Sequence, residues 1–196
     1  ATLAGQPLES HGLPCSFGSG ASVGNSLRGF EEYDDVRAFV DLANPMPTDG
    51  KLVHFGFAAL ALPGALVEVM VLRMEHHASG PAFVKKSAIM VDLHAEGRAT
   101  DNTAARELLV WRGDFLCFVV HSARVHFRLG CSGCLVAEVP AAFSTPLLHL
   151  SSEREGVVQL GRRLRRAYAW TSVLQPMRCR ASPWWGPAGG GPPPPL

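Results

Sequence analysis

The segment ALVEVMVLRM, residues 65–74, carries a valine at every second position, because Val67, Val69 and Val71 are separated by single residues. Successive side chains of an extended strand point to opposite faces, so this period of two is typical of a β-strand. A helix could accommodate the composition, but β-branched residues favour strands. The segment therefore predicts a β-strand.

The sequence around this segment continues the same pattern of apolar runs and turn signals. Pro63-Gly64 precedes it and is a turn signal, so residues 51–62 and 65–74 are predicted to form a hairpin. Other short apolar runs occupy residues 36–40, 82–94, 108–120, 124–129, 134–139, 147–150 and 165–174. About 8–10 strands at spacings of about 8–12 residues predict an all-β fold, an antiparallel β-sandwich or jelly roll.

Composition divides the chain into three expected parts. Residues 1–35 are predicted to be a loop-rich segment, because SFGSGASVGNS (16–26) is rich in Gly and Ser. Residues 36–176 are predicted to form the β-sandwich domain. Residues 177–196, which contain SPWWGPAGGGPPPPL (182–196), are predicted to be a disordered, flexible Pro/Gly-rich tail.

Overall charge and hydrophobicity exclude some classes of partner. The formal net charge of +1 argues against a nucleic-acid partner, and a hydrophobic content of 47% indicates a packed core. No apolar run reaches the ~20 residues that a membrane-spanning helix requires, so membrane insertion is not expected. No nucleotide-binding loop or nucleophile elbow is present, and we predict neither a cofactor nor a metal nor a catalytic residue.

The chain has five cysteines. In an oxidising compartment, two disulfides and one free thiol is the simplest arrangement, with the pairing left open. Cys117 lies inside the apolar run FLCFVV and is the predicted buried free thiol. The disulfide candidates are Cys15, Cys131, Cys134 and Cys179. The spacing of Cys131 and Cys134 would also suit a zinc or redox site, although a structural disulfide is favoured.

Two short stretches are candidate binding sites. Arg112-Gly113-Asp114 matches an integrin-binding tripeptide, in which Arg112 and Asp114 would be displayed on an exposed loop. The competing interpretation is a tight hairpin turn in which Gly113 adopts positive φ. The second stretch is GRRLRRAYAW (161–170), whose arginines could bind a sulfated glycan or another anion. These arginines are Arg162, Arg163, Arg165 and Arg166.

Several of these features occur in one order along residues 36–175. They are NPMPTDG (44–50), ALVEVMVLRM (65–74), RGDFLCFVV (112–120), GCSGC (130–134) and RRAYAWTSVL (165–174). This order resembles a jelly-roll-like extracellular β-sandwich module of secreted and cell-surface multidomain proteins. The resemblance implies adhesion or ligand binding without catalysis.

We therefore predict a non-enzymatic extracellular module, secreted or at the cell surface. It would bind a protein or sulfated-glycan partner, or serve as a structural unit of a larger assembly. One alternative is a metal-dependent jelly-roll enzyme with a histidine metal centre, since the chain has eight histidines. Another is an intracellular interaction module that acts through its proline-rich tail.

Overall fold

A computed structural model describes residues 15–25, 27, 32–35, 37–78, 80–93, 108–140 and 156–179. Regular structure in these residues is entirely β, which confirms the all-β antiparallel prediction. The strands are β1 (Cys15–Phe17), β2 (Ala21–Gly24), β3 (Glu32–Asp34), β4 (Ala38–Asp41), β5 (Gly50–Phe57), β6 (Ala59–His77), β7 (Gly80–Asp92), β8 (Leu108–Val110), β9 (Phe115–Leu129), β10 (Val136–Glu138), β11 (Val157–Val158), β12 (Arg163–Leu164), β13 (Arg166–Tyr168) and β14 (Trp170–Cys179).

The strands form two antiparallel sheets. The small sheet has the order β1-β14-β5-β8, with β2 also paired to β14. The large sheet has the order β11-β7-β6-β9-β4-β10-β12, with β3 and β13 also paired to β9. The predicted strand at residues 147–150 and the predicted tail beyond Cys179 lie outside the described residues.

The alternation in β6 separates two apolar clusters. Val67, Val69 and Val71 belong to the main core, which also contains Phe118 and Trp170 at a ring-centroid distance of 4.9 Å. Met70, between two of these valines, and Leu72, directly after the last of them, lie in a second buried cluster together with Cys117 and Val119. Both faces of the large sheet are therefore apolar around the middle of β6.

The two sheets are connected by a buried carboxylate at the end of β4. Asp41 accepts hydrogen bonds from Trp170 Nε1 at 2.7 Å, Asn44 Nδ2 at 2.9 Å and Asn25 Nδ2 at 3.1 Å. The amide of Ala43 donates a fourth, at 3.0 Å. Since Trp170 begins β14 of the small sheet, these hydrogen bonds join the sheets through one side chain.

The hairpin predicted around Pro63-Gly64 is wrong. β6 runs through this dipeptide, and β5 pairs with β14 and β8 of the other sheet. Along the β6–β9 pairing, Ala61 lies opposite Ala123 and Leu66 lies opposite His121, so the extra residues of β6 bulge out between them. Gly64, at φ 77°, allows the chain to turn out and back within one strand.

A second interruption expected from the sequence is also a bulge. The apolar runs at 108–120 and 124–129 were predicted as separate strands, but Phe115–Leu129 is one strand. Ser122 has φ 54°, an uncommon value for a residue other than glycine. Leu116, Phe118 and Val120 face the main core before it, whereas Val125 and Phe127 face the core after it. Ser122 therefore shifts the alternation of β9 by one residue.

The loop-rich segment predicted for residues 1–35 contains three short strands in its described part. Phe17 and Val23, both inside the Gly/Ser-rich stretch, lie in β1 and β2, which pair with β14. Tyr33 lies in β3, which pairs with β9. These strands form because neighbouring long strands offer unpaired edges, an effect that local composition does not reveal.

Candidate binding surface

The arginine segment, which we define as residues 162–166, crosses between two parts of the large sheet. Arg163 and Leu164 form β12 and pair with Ala137 and Val136 of β10. Arg166 begins β13, which pairs with the last residues of β9. Strand pairing at both ends fixes the backbone of the segment, so its side chains are displayed from a rigid base.

Three of the four arginines in this segment are exposed to solvent. The side chain of Arg162 is 71% exposed and lies 3.4 Å from Glu138 in a surface ion pair. Arg163 and Arg165 are also exposed, and neither forms an ion pair with any residue that the structure describes. A solvent-exposed ion pair such as Arg162–Glu138 contributes little stability. The segment therefore presents positive charge that, among the described residues, only Glu138 pairs with at the surface.

Arg166 differs from its neighbours because it takes part in a partly buried network. Its guanidinium donates to Asp34, and the Tyr168 hydroxyl donates to the same carboxylate at 2.8 Å. The guanidinium carbon lies 4.8 Å from the ring centroid of Phe127. Burial, followed by the hydrogen bond to Asp34, raises the pKa of Tyr168 above its ordinary value. Arg166 thus supports the fold and is not displayed with Arg162, Arg163 and Arg165.

Further basic side chains, which the sequence reasoning missed, lie on β9 beside the arginine segment. Arg128 is exposed, and its Cα partner is Ala167 of β13. Arg124 Nε forms an ion pair with Asp35 Oδ1 at 2.7 Å, and the Arg124 guanidinium carbon lies 5.9 Å from the ring centroid of Tyr33. The sequence RVHFRL (124–129) does indicate that Arg124 and Arg128 share one face of a strand, because residues two or four apart on a strand point to the same side. The pairing of β9 with β13 could not be read from the sequence.

The other candidate site, Arg112-Gly113-Asp114, is a turn, with Gly113 at φ 87°. It connects β8 of the small sheet to β9 of the large sheet, so it does not close a hairpin. The side chain of Asp114 is only 1% exposed. Its carboxylate accepts hydrogen bonds from Arg73 Nε at 2.8 Å, Arg73 Nη2 at 3.0 Å and the Trp111 amide at 2.8 Å. Arg112 is exposed, but no carboxylate is displayed beside it within the tripeptide.

The cysteines follow the predicted division. Cys117 is free and fully buried, and burial raises the pKa of its thiol. Cys131 and Cys134 form a disulfide with a Cα–Cα distance of 5.5 Å. Cys15 is also disulfide-bonded, and the backbone opposite it in the β1–β14 pairing is that of Cys179.

One buried ion pair lies outside the main core. Lys85 Nζ is 3.2 Å from Glu68 Oε1, and both residues are largely buried. The other carboxylate oxygen of Glu68 has no hydrogen-bond partner among the described residues. Buried pairs of this kind add little net stability, because the cost of removing two charges from water offsets their attraction.

Within the described ranges, no group of three or more His, Cys, Asp or Glu side chains is arranged to hold a metal ion. His121 and His126, two of the eight histidines, both lie on the single strand β9. The described residues include no helix of the length and apolarity that a membrane span needs.

Comparison with known proteins gives no further assignment. Neither the protein-family models, nor the curated proteins, nor the solved structures contain a match to this chain.

Proposed function

We propose that this chain is a non-enzymatic extracellular β-sandwich module that binds a sulfated glycan through its arginine segment. The observation that carries the proposal is the exposure of Arg162, Arg163 and Arg165 on a backbone held by strand pairing at both ends. Guanidinium groups bind sulfate through paired, charge-assisted hydrogen bonds. A rigid base lowers the entropy that is lost when such contacts form.

The charge distribution favours a local contact with an anionic partner. The whole chain has a formal net charge of only +1, so long-range attraction of polyanions is weak. The three exposed arginines lie within four consecutive residues, and Glu138 is paired with Arg162 alone. A linear partner with closely spaced sulfates matches this arrangement better than a partner that carries one isolated negative charge.

A heparin column with a salt gradient tests the proposal. The parent protein should be retained and should elute as the ionic strength rises, because salt screens exposed charges. The double variant Arg163→Gln/Arg165→Gln should elute at lower salt, with heparin affinity reduced about tenfold or more, as expected when charge-assisted contacts are lost.

The matched control is the double variant Arg112→Gln/Arg178→Gln, which removes the same charge from exposed positions adjoining the small sheet. It should elute with the parent. Lack of retention of the parent would overturn the proposal. So would equal losses in the two double variants, since retention would then report net charge and not this segment. Binding to an acidic protein, with no retention on heparin, would identify the other class of partner.

A further inference from the structure

The two strands that hold the arginine segment are themselves connected by one short turn. β13 pairs with Phe127–Leu129 at the end of β9, and β12 pairs with Val136 and Ala137 at the start of β10. Only residues 130–135 separate the end of β9 from the start of β10. This turn therefore lies next to both strands that hold the arginine segment, while β4 pairs with β9 and with β10 on the other side of it.

The Cys131–Cys134 disulfide closes this turn. Glycines flank and interrupt it, with Gly130 at φ 68° and Gly133 at φ 76°, so without the disulfide the turn has few side-chain constraints. Cys131 and Cys134 pack against a small cluster of alanines that includes Ala167 of β13. The disulfide thus constrains the turn and also contacts the strand that follows the arginine segment directly.

The same disulfide joins two partly exposed residues. Cys131 and Cys134 are each partly exposed, in contrast to Cys117, which is fully buried among apolar side chains. Ser132 and Gly133, between the two cysteines, are exposed. Attack by an external thiolate requires access to a sulfur, and partial exposure of both cysteines is consistent with that requirement.

We propose that Cys131–Cys134 is a thiol–disulfide exchange site that controls the arginine segment, an inference that rests on the function proposed above. A small thiolate attacks one sulfur, forms a mixed disulfide and releases the other cysteine as a thiolate that takes up a proton. A second thiolate then attacks the sulfur of the first in the mixed disulfide, so the two small thiols become joined and the remaining protein cysteine leaves as a thiolate that takes up a proton. Two thiols are oxidised to one disulfide, and Cys131 and Cys134 are reduced to two thiols. Reduction frees the turn and loosens its packing against Ala167 of β13, so the arginine segment loses part of its rigid base and glycan binding weakens.

The experiment compares the native oxidised protein with protein treated with low concentrations of dithiothreitol. Alkylation and peptide mapping should show that Cys131 and Cys134 react without denaturation, while Cys117 does not. Hydrogen exchange of the β13 amides should become faster after reduction, and exchange in the middle of β6 should not change. Heparin affinity should fall about tenfold, equivalent to the loss of one charge-assisted contact. The variant Cys131→Ser/Cys134→Ser should behave as the reduced protein does.

Each readout decides a different point. If Cys131 and Cys134 resist dithiothreitol until the protein unfolds, the site does not exchange thiols and the inference fails. Unchanged β13 exchange after complete reduction would also overturn it, whatever heparin does. If exchange rises but the oxidised protein never binds heparin, the proposed function fails and the control of the segment by the disulfide stands. Loss of the folded circular dichroism spectrum on reduction would show a purely structural disulfide.

Discussion

Among single residues, Asp114 is the one whose burial prevents the Arg112-Gly113-Asp114 tripeptide from presenting a carboxylate to an integrin-like partner. Its carboxylate accepts two hydrogen bonds from Arg73, and the Arg73 guanidinium lies 4.8 Å from the ring centroid of Trp111. A carboxylate held in this way cannot complete a metal site on another protein. The tripeptide acts as a turn in which the aspartate fixes the start of β9.

Replacing Asp114 by Ala should lower the free energy of unfolding by about 2–3 kcal/mol, because Arg73 and the Trp111 amide lose a charge-assisted partner. Urea denaturation at neutral pH measures this change. Arg112→Ala is the control and should alter stability by less than about 0.5 kcal/mol, since its side chain is exposed. Equal stabilities of the two variants would contradict this role for Asp114.

The role of a single residue can be predicted from the sequence only where it depends on residues that are near in the chain. Gly113 identifies the turn and the apolar run around Cys117 identifies a buried thiol, since both depend on neighbours in the chain. The partner of Asp114 is Arg73, 41 residues away, and this pairing depends on the register of β6 against β9. Exposure of individual arginines is similarly non-local, and Arg166 is removed from the surface by Asp34 of a distant strand.

At the scale of strands, the errors of the sequence analysis have one physical cause. Pro63-Gly64 and the polar residues near Ser122 carry the composition of turns, but each lies within a continuous strand. A turn and a bulge both require residues that leave extended geometry, so the same residue types serve both. After a hairpin turn the chain pairs with the strand that preceded the turn, whereas after a bulge it continues to pair with the same neighbouring strand.

Ser122→Gly should stabilise the protein by roughly 0.5–1 kcal/mol, because a left-handed backbone costs a non-glycine residue more than glycine loses in unfolded-state entropy. The Ser122 side chain is exposed, so few contacts are lost. Urea denaturation of the purified variant gives the change.

The same substitution at Ser16 provides the comparison, because Ser16 lies in β1 and is also exposed but lacks positive φ. Ser16→Gly should be destabilising or neutral. A loss of stability in Ser122→Gly as large as that in Ser16→Gly would show that the backbone at Ser122 is not strained.

At the scale of the whole molecule, two buried groups link stability to alkaline pH. Burial raises the pKa of Cys117 above its ordinary value of 9.0, with a smaller contribution from the charge of Glu68. Burial also raises the pKa of Tyr168 above 10.0, together with its hydrogen bond to Asp34. Both groups remain neutral in the folded protein at pH values where they ionise in the unfolded chain.

The stability that these two groups contribute is complete below their ordinary pKa values. It is lost as the pH rises towards the higher folded-state values, because the unfolded state then releases protons that the folded state retains. We expect the urea midpoint to be steady near neutral pH and to fall above about pH 9–10. Urea titrations across this range measure the midpoint.

In a Tyr33→Phe variant, Tyr168 is the only tyrosine, and its ionisation, followed by ultraviolet absorbance, should coincide with unfolding. Ionisation of Tyr168 well before unfolding would contradict the effect of burial.

The general architecture is the part of the molecule that composition and periodicity predict best. Alternation in β6 and the spacing of apolar runs are sufficient for an antiparallel all-β fold, since both reflect the two faces of a strand. The order of the strands is not accessible in this way. It depends on long-range pairings such as β14 with β5, and on Asp41, which accepts hydrogen bonds from Asn25 and Trp170 as well as from its near neighbours Ala43 and Asn44.

Because of Ser122, β9 should tolerate a one-residue deletion that would misplace the side chains of an ordinary strand. Deleting one residue usually transfers every following side chain to the opposite face of the sheet. In β9, Val120 and Ala123 both pack with the main core, although they are separated by an odd number of positions. Deletion of Ser122 would give a regular alternation of side chains from Leu116 to Phe127, and each remaining side chain would keep its present face of the sheet.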